Sequence, residues 1–341
     1  MKNQTTQRTF ITILSVCILA VFLMPLAYGV SMSLKTKEQI ASLSQSPIPR
    51  SPKTFSWKGR DCDILQVPAA DGTLRELAIV GKGRASSVFI DPESVESGEI
   101  EWEGQWRTLE PVWKLDPQWK NYRRAWEAVK FVRLLKNTAL YAIVTTFGTV
   151  LSSLLVAYGF ARFAFPGKKI LFVVLISTII LPSAVTLIPT YSMFFRLGWV
   201  GTWLPLMVPP FFANAYNVFL LRQFIMGIPR EMDEAARIDG AGPLRTLFSV
   251  ILPQAVPAVI SVSLFHFFFA WNDFFGPLIY LAGKPDLQPI TVGLSTFNNM
   301  YTTEGHLVQA ASLIACVVPF TIFFFAQKFF MQGVVVTGVD K

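Results

Sequence analysis

Ile228-Pro-Arg-Glu-Met-Asp-Glu-Ala-Ala-Arg-Ile-Asp-Gly-Ala-Gly-Pro243, with Leu252-Pro253 downstream, is a polar stretch set between two long apolar runs. Pro229 suits the first turn of a helix, and Glu231, Asp233 and Glu234 near its start complement the positive end of the helix dipole. Gly240 stops that helix. Ala235 and Ala236 give it a small-residue face that can press against another surface, and Gly240-Ala-Gly-Pro243 turns the chain into the next helix. The expected product is a short, rigid, protruding elbow that docks on something.

Outward from the elbow the chain is too apolar for a soluble protein of 341 residues, with 52% hydrophobic and only 15% charged positions. Six windows contain no Asp, Glu, Lys or Arg: Phe10 to Val30, Asn137 to Ala161, Ile170 to Phe195, Leu197 to Leu221, Thr246 to Asn272 and Leu307 to Gln327. Each exceeds the ~20 residues a helix needs to cross the hydrocarbon. Six membrane spans follow, the third and fourth forming a tight hairpin around Leu197-Gly-Trp-Val-Gly201. Lys2, Arg8, Arg162, Lys168, Lys169, Arg222, Arg230, Arg237, Arg245, Lys328 and Lys341 fall on one side of such a bundle, against Arg196 and Lys284 in short loops on the other. The excess of basic residues marks the cytoplasmic side, so both termini are expected there. The first span has basic residues before it but no small-x-small cleavage site after it, and is read as retained.

Ser31 to Lys136 differs in character. It begins in a Pro/Ser-rich linker, Ser44 to Pro52, and continues in strand-like runs at Ile64–Val67, Arg75–Val80, Ser87–Ile90 and Glu99–Trp102. Turn signals at Asp71-Gly72 and Asp91-Pro92 separate the runs, which is the pattern of a small antiparallel unit. Six of the nine tryptophans lie here, at Trp57, Trp102, Trp106, Trp113, Trp119 and Trp126, enough aromatic area to hold a small sheet or anchor it at a bilayer surface. An extracytoplasmic β-like unit between the first two spans is expected.

The elbow resembles the EAA loop of binding-protein-dependent ABC importer permeases, in which Glu-Ala-Ala is followed after three residues by Gly and, nine residues later, by Ile-x-Leu-Pro. Glu234, Ala235, Ala236, Gly240, Leu252 and Pro253 fall in register, with Val250 in place of Ile. Asn137-Thr138, Ala157-Tyr-Gly-Phe-Ala-Arg-Phe163, Phe165-Pro-Gly167 and Trp271-Asn-Asp-Phe-Phe-Gly-Pro277 look like the MalG-type half of carbohydrate importers, and the likeness is continuous from about Phe131 onward. Against that family the β-like middle of the outer segment looks like an insertion, serving as a docking surface or as lineage-specific decoration.

The resemblance implies an all-α polytopic protein of the type I ABC importer (MetI-like) fold with six transmembrane helices. Residues 1–30 would be the cytoplasmic N-terminus and first span, 31–131 the extracytoplasmic region with its β-like insert, 132–327 the permease domain and 328–341 a cytoplasmic tail. It implies a subunit of the cytoplasmic (inner) membrane of a prokaryote that pairs with a homologous second permease, a cytoplasmic ABC ATPase dimer and an extracytoplasmic solute-binding protein. Its cargo would be a carbohydrate, an oligosaccharide or glycoside. The coupling residues would be Glu234, Ala235, Ala236, Asp239, Gly240, Leu252 and Pro253. A permease for a non-sugar solute shares the fold. A ligand-sensing membrane receptor is the rival outside this class, and it would need a cytoplasmic output domain, against which the longest expected cytoplasmic stretch, Arg222 to Arg245, is short.

Polar groups inside spans are costly unless they face a cavity or pathway, which singles out Asn214, Asn217, Trp271, Asn272 and Asp273. Asn offers donors and acceptors to hydroxyls, and a Trp face stacks on a sugar ring. Each has a structural reading as well, Trp271 as an interface anchor and Asn272 as a helix cap. Pro182, Pro189, Pro205, Pro209 and Pro210 mark places where spans bend or break.

No Gly-x-x-x-x-Gly-Lys-Ser/Thr occurs, so ATP hydrolysis is expected in a partner chain, with no catalysis and no cofactor here. His266 and His306 are too few and too far apart for a metal site. The basic residues are spread along membrane flanks rather than gathered in one stripe, which argues against nucleic acid. Cys17, Cys62 and Cys316 offer no intramolecular disulfide framework.

Overall fold

The computed structural model describes residues 2–41, 46–69, 73–295 and 304–335. The chain divides into two compact units, Met1–Ala125 with Met300–Leu313, and Trp126–Asn299 with Ile314–Lys341. The Asp71-Gly72 turn and the tail from Val336 lie outside the described residues, as does the middle of the loop before the last helix.

The first unit opens with α1 (Lys2–Ser33), a helix exposed along its apolar length, and a short α2 (Lys37–Ala41). The sheet that follows has the strand order β2-β3-β4-β5-β6 and is antiparallel throughout. Its strands are β2 (Thr54–Trp57), β3 (Arg60–Pro68), β4 (Leu74–Gly81), β5 (Ser86–Ile90) and β6 (Ile100–Glu103). All four strand-like runs of the sequence are strands here. Alternation puts Leu65, Val67, Leu77, Ile79 and Phe89 on one face, closed over by Ile100, Trp102, Trp106 and Leu109, with Phe89 and Trp102 edge to face at 6.1 Å. The linker ends as a strand: β1 (Arg50–Pro52) pairs with β7 (Trp113–Leu115), Arg50 opposite Leu115, and ties the two ends of the unit together. A short α3 (Lys120–Ala128) follows, and Asn121 Nδ2 on it donates to the carbonyls of Ser33 and Lys35.

The second unit is helical. α4 (Phe131–Arg162) runs its whole length, and α5 (Lys168–Ser177) and α6 (Ser183–Arg196) come after it. The third apolar window therefore does not form one continuous helix. It breaks over Thr178–Pro182, where Pro182 has no N–H to carry the helix on. Five helical stretches among the described residues are long and apolar enough to cross a membrane: Gln7–Ser33, Phe131–Arg162, Leu204–Gly227, Pro243–Asn272 and Gly305–Gln327. The hairpin after Arg196 turns on Gly198 and Gly201, both at positive φ. Next come α7 (Leu204–Met207), a 3-10 turn at Pro209–Phe212 and α8 (Ala215–Gly227). The remainder is α9 (Glu231–Ile238), α10 (Pro243–Thr246), a wide turn at Leu247–Ile251, α11 (Leu252–Asn272), α12 (Phe275–Tyr280), α13 (Ile290–Ser295) and α14 (Gly305–Val335).

Two apolar clusters hold this unit together. One gathers Leu154, Tyr158 and Ala161 of α4 with Leu221 and Ile225 of α8 and with Leu247, Ile251 and Ala255. The other gathers Tyr141, Phe194, Leu206, Trp271 and Tyr280. α4 contributes to both. The loop from Pro285 to Gly305 reads in sequence as polar and flexible through Gly293 and Asn298-Asn299; residues 296–303 lie outside the described residues, and the part leading into α13 is fastened to α4. Asn137 Nδ2 donates to the carbonyls of Asp286 and Gln288, Ile290 N–H donates to Thr138 Oγ1, and Arg133 pairs with Asp286. Gly293 is helical, and a Cβ there would lie 2.2 Å from Leu134 Cδ1, so its role is close approach rather than flexibility.

Candidate coupling element and pathway

α9 forms where the sequence places it. Glu231, Asp233 and Glu234 occupy its first turn and Arg237 its last, each sign matched to the nearer end of the helix dipole. Helical geometry starts after Pro229, with Arg230 as the flanking residue. At the other end Gly240 takes a φ of +76°, its N–H donates to Arg237 O, and Ala241 N–H donates to Ala236 O. This left-handed stop favours glycine, and Pro243 opens α10 two residues after Ala241.

The two alanines do not share a face. Ala236 is buried with Asp233 on the inner side, whereas Glu234, Ala235, Asp239 and Gly240 are exposed. Ile238 belongs to the outer surface and is 87% exposed, with Leu244 exposed just beyond it. Ile238 and Leu244 add two exposed apolar side chains to the outer surface that Glu-Ala-Ala alone does not carry. Leu252 packs on the apolar cluster beneath and Pro253 sits exposed in the first turn of α11, so both set the direction in which α11 leaves the elbow.

On the inner side Arg162, the last residue of α4, meets Asp233 with Nε 3.0 Å from Oδ2, the two side chains only 5% and 11% exposed. Nη2 of the same guanidinium donates to Ile228 O at 2.9 Å. Nε and Oδ2 have no aligned hydrogen bond, so the pair is held by charge and enclosure, and Nη2 supplies the directional contact. Asp233 reads in sequence as a dipole partner and Arg162 as part of a motif. Only the fold brings them together.

The five pathway candidates separate into two places. Asn214 caps α8, its Oδ1 accepting from Asn217 N–H, and Asn217 is buried one turn on. They sit where the fourth window breaks. Ala213 there holds a φ of +69°, a conformation costly for a residue with a side chain and kept only where neighbours fix it. α4 does the fixing: Ser152 Oγ accepts from Ala213 N–H and lies 3.2 Å from Pro210 O, and Ser153 Oγ accepts from Asn214 N–H. Gly148 admits the Phe211 ring, since a Cβ would lie 2.7 Å from it. Phe211, Phe212 and Tyr216 stand exposed around the break.

Trp271, Asn272 and Asp273 end α11. Trp271 is buried against Phe267, with ring centroids 5.5 Å apart, and is a packing residue here. Asn272 is exposed and its Nδ2 donates to Phe268 O. Asp273 accepts from Tyr141 Oη and from Gly276 N–H, and its carbonyl accepts from Thr291 Oγ1. No hydrogen bond or ring contact among the described residues joins this trio to Asn214 and Asn217. His266 is paired with Thr149 Oγ1 at 3.2 Å, and no cluster able to hold a metal occurs among the described residues.

Residues 132–336 match the family described as "Binding-protein-dependent transport system inner membrane component". The osmoprotective compounds uptake permease protein GgtD of Synechocystis sp. is 31% identical over 206 residues, 60% of this chain and 69% of that protein. The alpha-glucoside transport system permease protein AglG of Rhizobium meliloti is 28% identical over 241 residues, 68% of this chain and 62% of that one. Among solved structures, a chain of a bacterial ABC transporter involved in the import of the acidic polysaccharide alginate matches with a TM-score of 0.66, covering 97% of this chain and 98% of its own at 18% identity. That likeness is one of fold. The matched span includes the β-rich segment.

Proposed function

Because the chain belongs to the family of binding-protein-dependent transport system inner membrane components, we propose that it forms half of a carbohydrate pathway driven through α9 by a separate ATPase. It is a permease subunit of an ABC importer, and ATP hydrolysis resides in another chain of such systems. The observation that carries the coupling role is the two-sidedness of α9: its inner side is fastened to α4 through Asp233, and its outer side presents Glu234, Ala235 and Ile238.

In this reading both termini and α9 face the cytoplasm, and residues 31–131, with the β-rich unit, lie outside. Residues 132–327 form the permease domain and 328–341 the tail. A homologous permease completes the pathway, two copies of the ATPase seat on the two elbows, and a solute-binding protein delivers cargo from outside. Closure of the ATPase dimer moves α9, α4 and α11 follow, and the cavity changes the side to which it opens. Asn214, with Phe211 and Tyr216 around the break, meets the cargo. Asn217, Trp271 and Asp273 hold the wall in place, and Asn272 faces outward from it.

A carbohydrate cargo is supported by the alpha-glucoside and alginate systems to which the chain is similar. A second reading, a small osmoprotective solute, is supported by GgtD. Calorimetric titration of the cognate binding protein with maltose, maltotriose and glycine betaine decides between them. Micromolar binding of a saccharide or glycoside supports the first, and binding of betaine alone overturns it.

A further inference from the structure

α9 is short, and both of its connections are non-helical. Ile228–Arg230 join it to α8 after Gly227, and Gly240–Gly242 join it to α10 with Gly240 in the left-handed region. A push on an eight-residue helix so connected would be absorbed by the hinges unless something crosses them. The Arg162 guanidinium crosses the first of them. It reaches from the end of α4 to Ile228 O in the first hinge and to Asp233 on α9 itself.

A charge pair this enclosed stays together, because separating it leaves two buried charges without partners. A tie to the end of α4 therefore moves α4. This 32-residue helix also carries Gly148, Ser152 and Ser153, which seat the strained break at Pro209–Asn214. One continuous helix joins the elbow to the pathway wall.

We propose that Arg162 is a positioning residue for energy coupling: through Asp233 and Ile228 it locks α9 to α4, so that displacement of α9 by the ATPase is delivered to the helix break instead of being lost in the hinges. The inference rests on the reading of α9 as the ATPase contact and adds the route by which the displacement travels. Arg162 touches neither cargo nor nucleotide in this account.

The test uses the complete importer in proteoliposomes, with Cys17, Cys62 and Cys316 replaced by alanine and nitroxides at Arg237→Cys on α9 and Val132→Cys on α4. Pulsed electron resonance gives the distance between them without nucleotide and after ATP–vanadate trapping. One narrow, unchanged distance is expected for the parent and for Asp233→Glu. Asp233→Asn, which keeps shape and loses charge, and Arg162→Ala should broaden or shift that distance on trapping. The same two variants should lose about tenfold in uptake per ATP hydrolysed, the size of a typical coupling energy. The saccharide used is the one captured by the binding protein in the titration above.

An unchanged narrow distance in Asp233→Asn overturns the proposal, as does a Glu variant that behaves like the Asn variant. Failure of both Asp233→Asn and Arg162→Ala to reach the membrane overturns it too, because the pair would then be an assembly element. Ala235→Trp, assayed alongside, separates the two levels. If it leaves uptake per ATP unchanged, the reading of α9 fails. If it uncouples while Asp233→Asn does not, only the lock fails.

Discussion

Tyr141 Oη, on the long helix α4, donates to Asp273 Oδ2 at 2.8 Å, and the other oxygen of that carboxylate accepts from Gly276 N–H to start α12. A residue that reads in sequence as a solute contact is thus engaged in joining three helices: α4 through Tyr141, α12 through its cap and α13 through Thr291. Hydrogen bonds to a charged acceptor contribute more than neutral ones, so Tyr141→Phe should cost about 2 kcal/mol of stability. Differential scanning fluorimetry of the detergent-solubilised complex should show a lowered Tm, with the KM for uptake unchanged. A raised KM at normal Tm would return Asp273 to the pathway.

The turn after α9 makes a backbone prediction. Gly240 has φ +76° and uses its N–H, so Gly240→Ala should cost roughly 1–2 kcal/mol and remain functional. Gly240→Pro can adopt neither that φ nor that hydrogen bond. It should uncouple ATP hydrolysis from uptake while the protein stays in the membrane, as measured by transported solute per phosphate released. Normal stoichiometry in the proline variant would contradict the role given to this turn.

The helix break is tested by size. A side chain at Gly148 would press on the Phe211 ring, and Phe211 is itself partly exposed and able to yield. Gly148→Val should therefore reduce uptake, and Phe211→Ala on the same chain should restore part of it, with an interaction energy of about 1 kcal/mol or more in a double-mutant cycle. Additive effects would show that Gly148 does not seat the break.

The β-rich unit is delimited by the pairing of Arg50 with Leu115, which brings its two ends side by side. Replacing residues 51–114 with a short Gly/Ser bridge removes the unit without stretching the chain. Basal ATPase activity of the assembled complex should persist, and binding-protein affinity, followed by fluorescence anisotropy, should fall. Unchanged affinity would make the unit decoration, and loss of the complex from the membrane would make it structural.

The elbow was legible in sequence because its signals are local: acids at a helix start, Gly at its stop, Pro at the next start. The four strand-like runs were legible for the same reason, since alternation is a property of neighbours. In the third window the sequence shows the length and, at Pro182, a place to break, but only the fold shows that the window divides into α5 and α6. Ala235 and Ala236 read as one face, yet at consecutive positions on a helix they point about 100° apart, and burial divides them. Arg162 with Asp233, and Tyr141 with Asp273, were illegible as pairs, since each joins residues far apart in the chain that only packing brings together.

The central claim is that the outer side of α9 is where a separate ATPase takes hold. A photo-reactive benzoylphenylalanine placed at Ile238, which is 87% exposed, tests it most directly in the intact importer. Irradiation should yield an adduct with the ATPase subunit from Ile238, and none from the same probe at the exposed Trp119 in the first unit. An assembled, ATP-hydrolysing complex that gives no ATPase adduct from Ile238 would contradict the account.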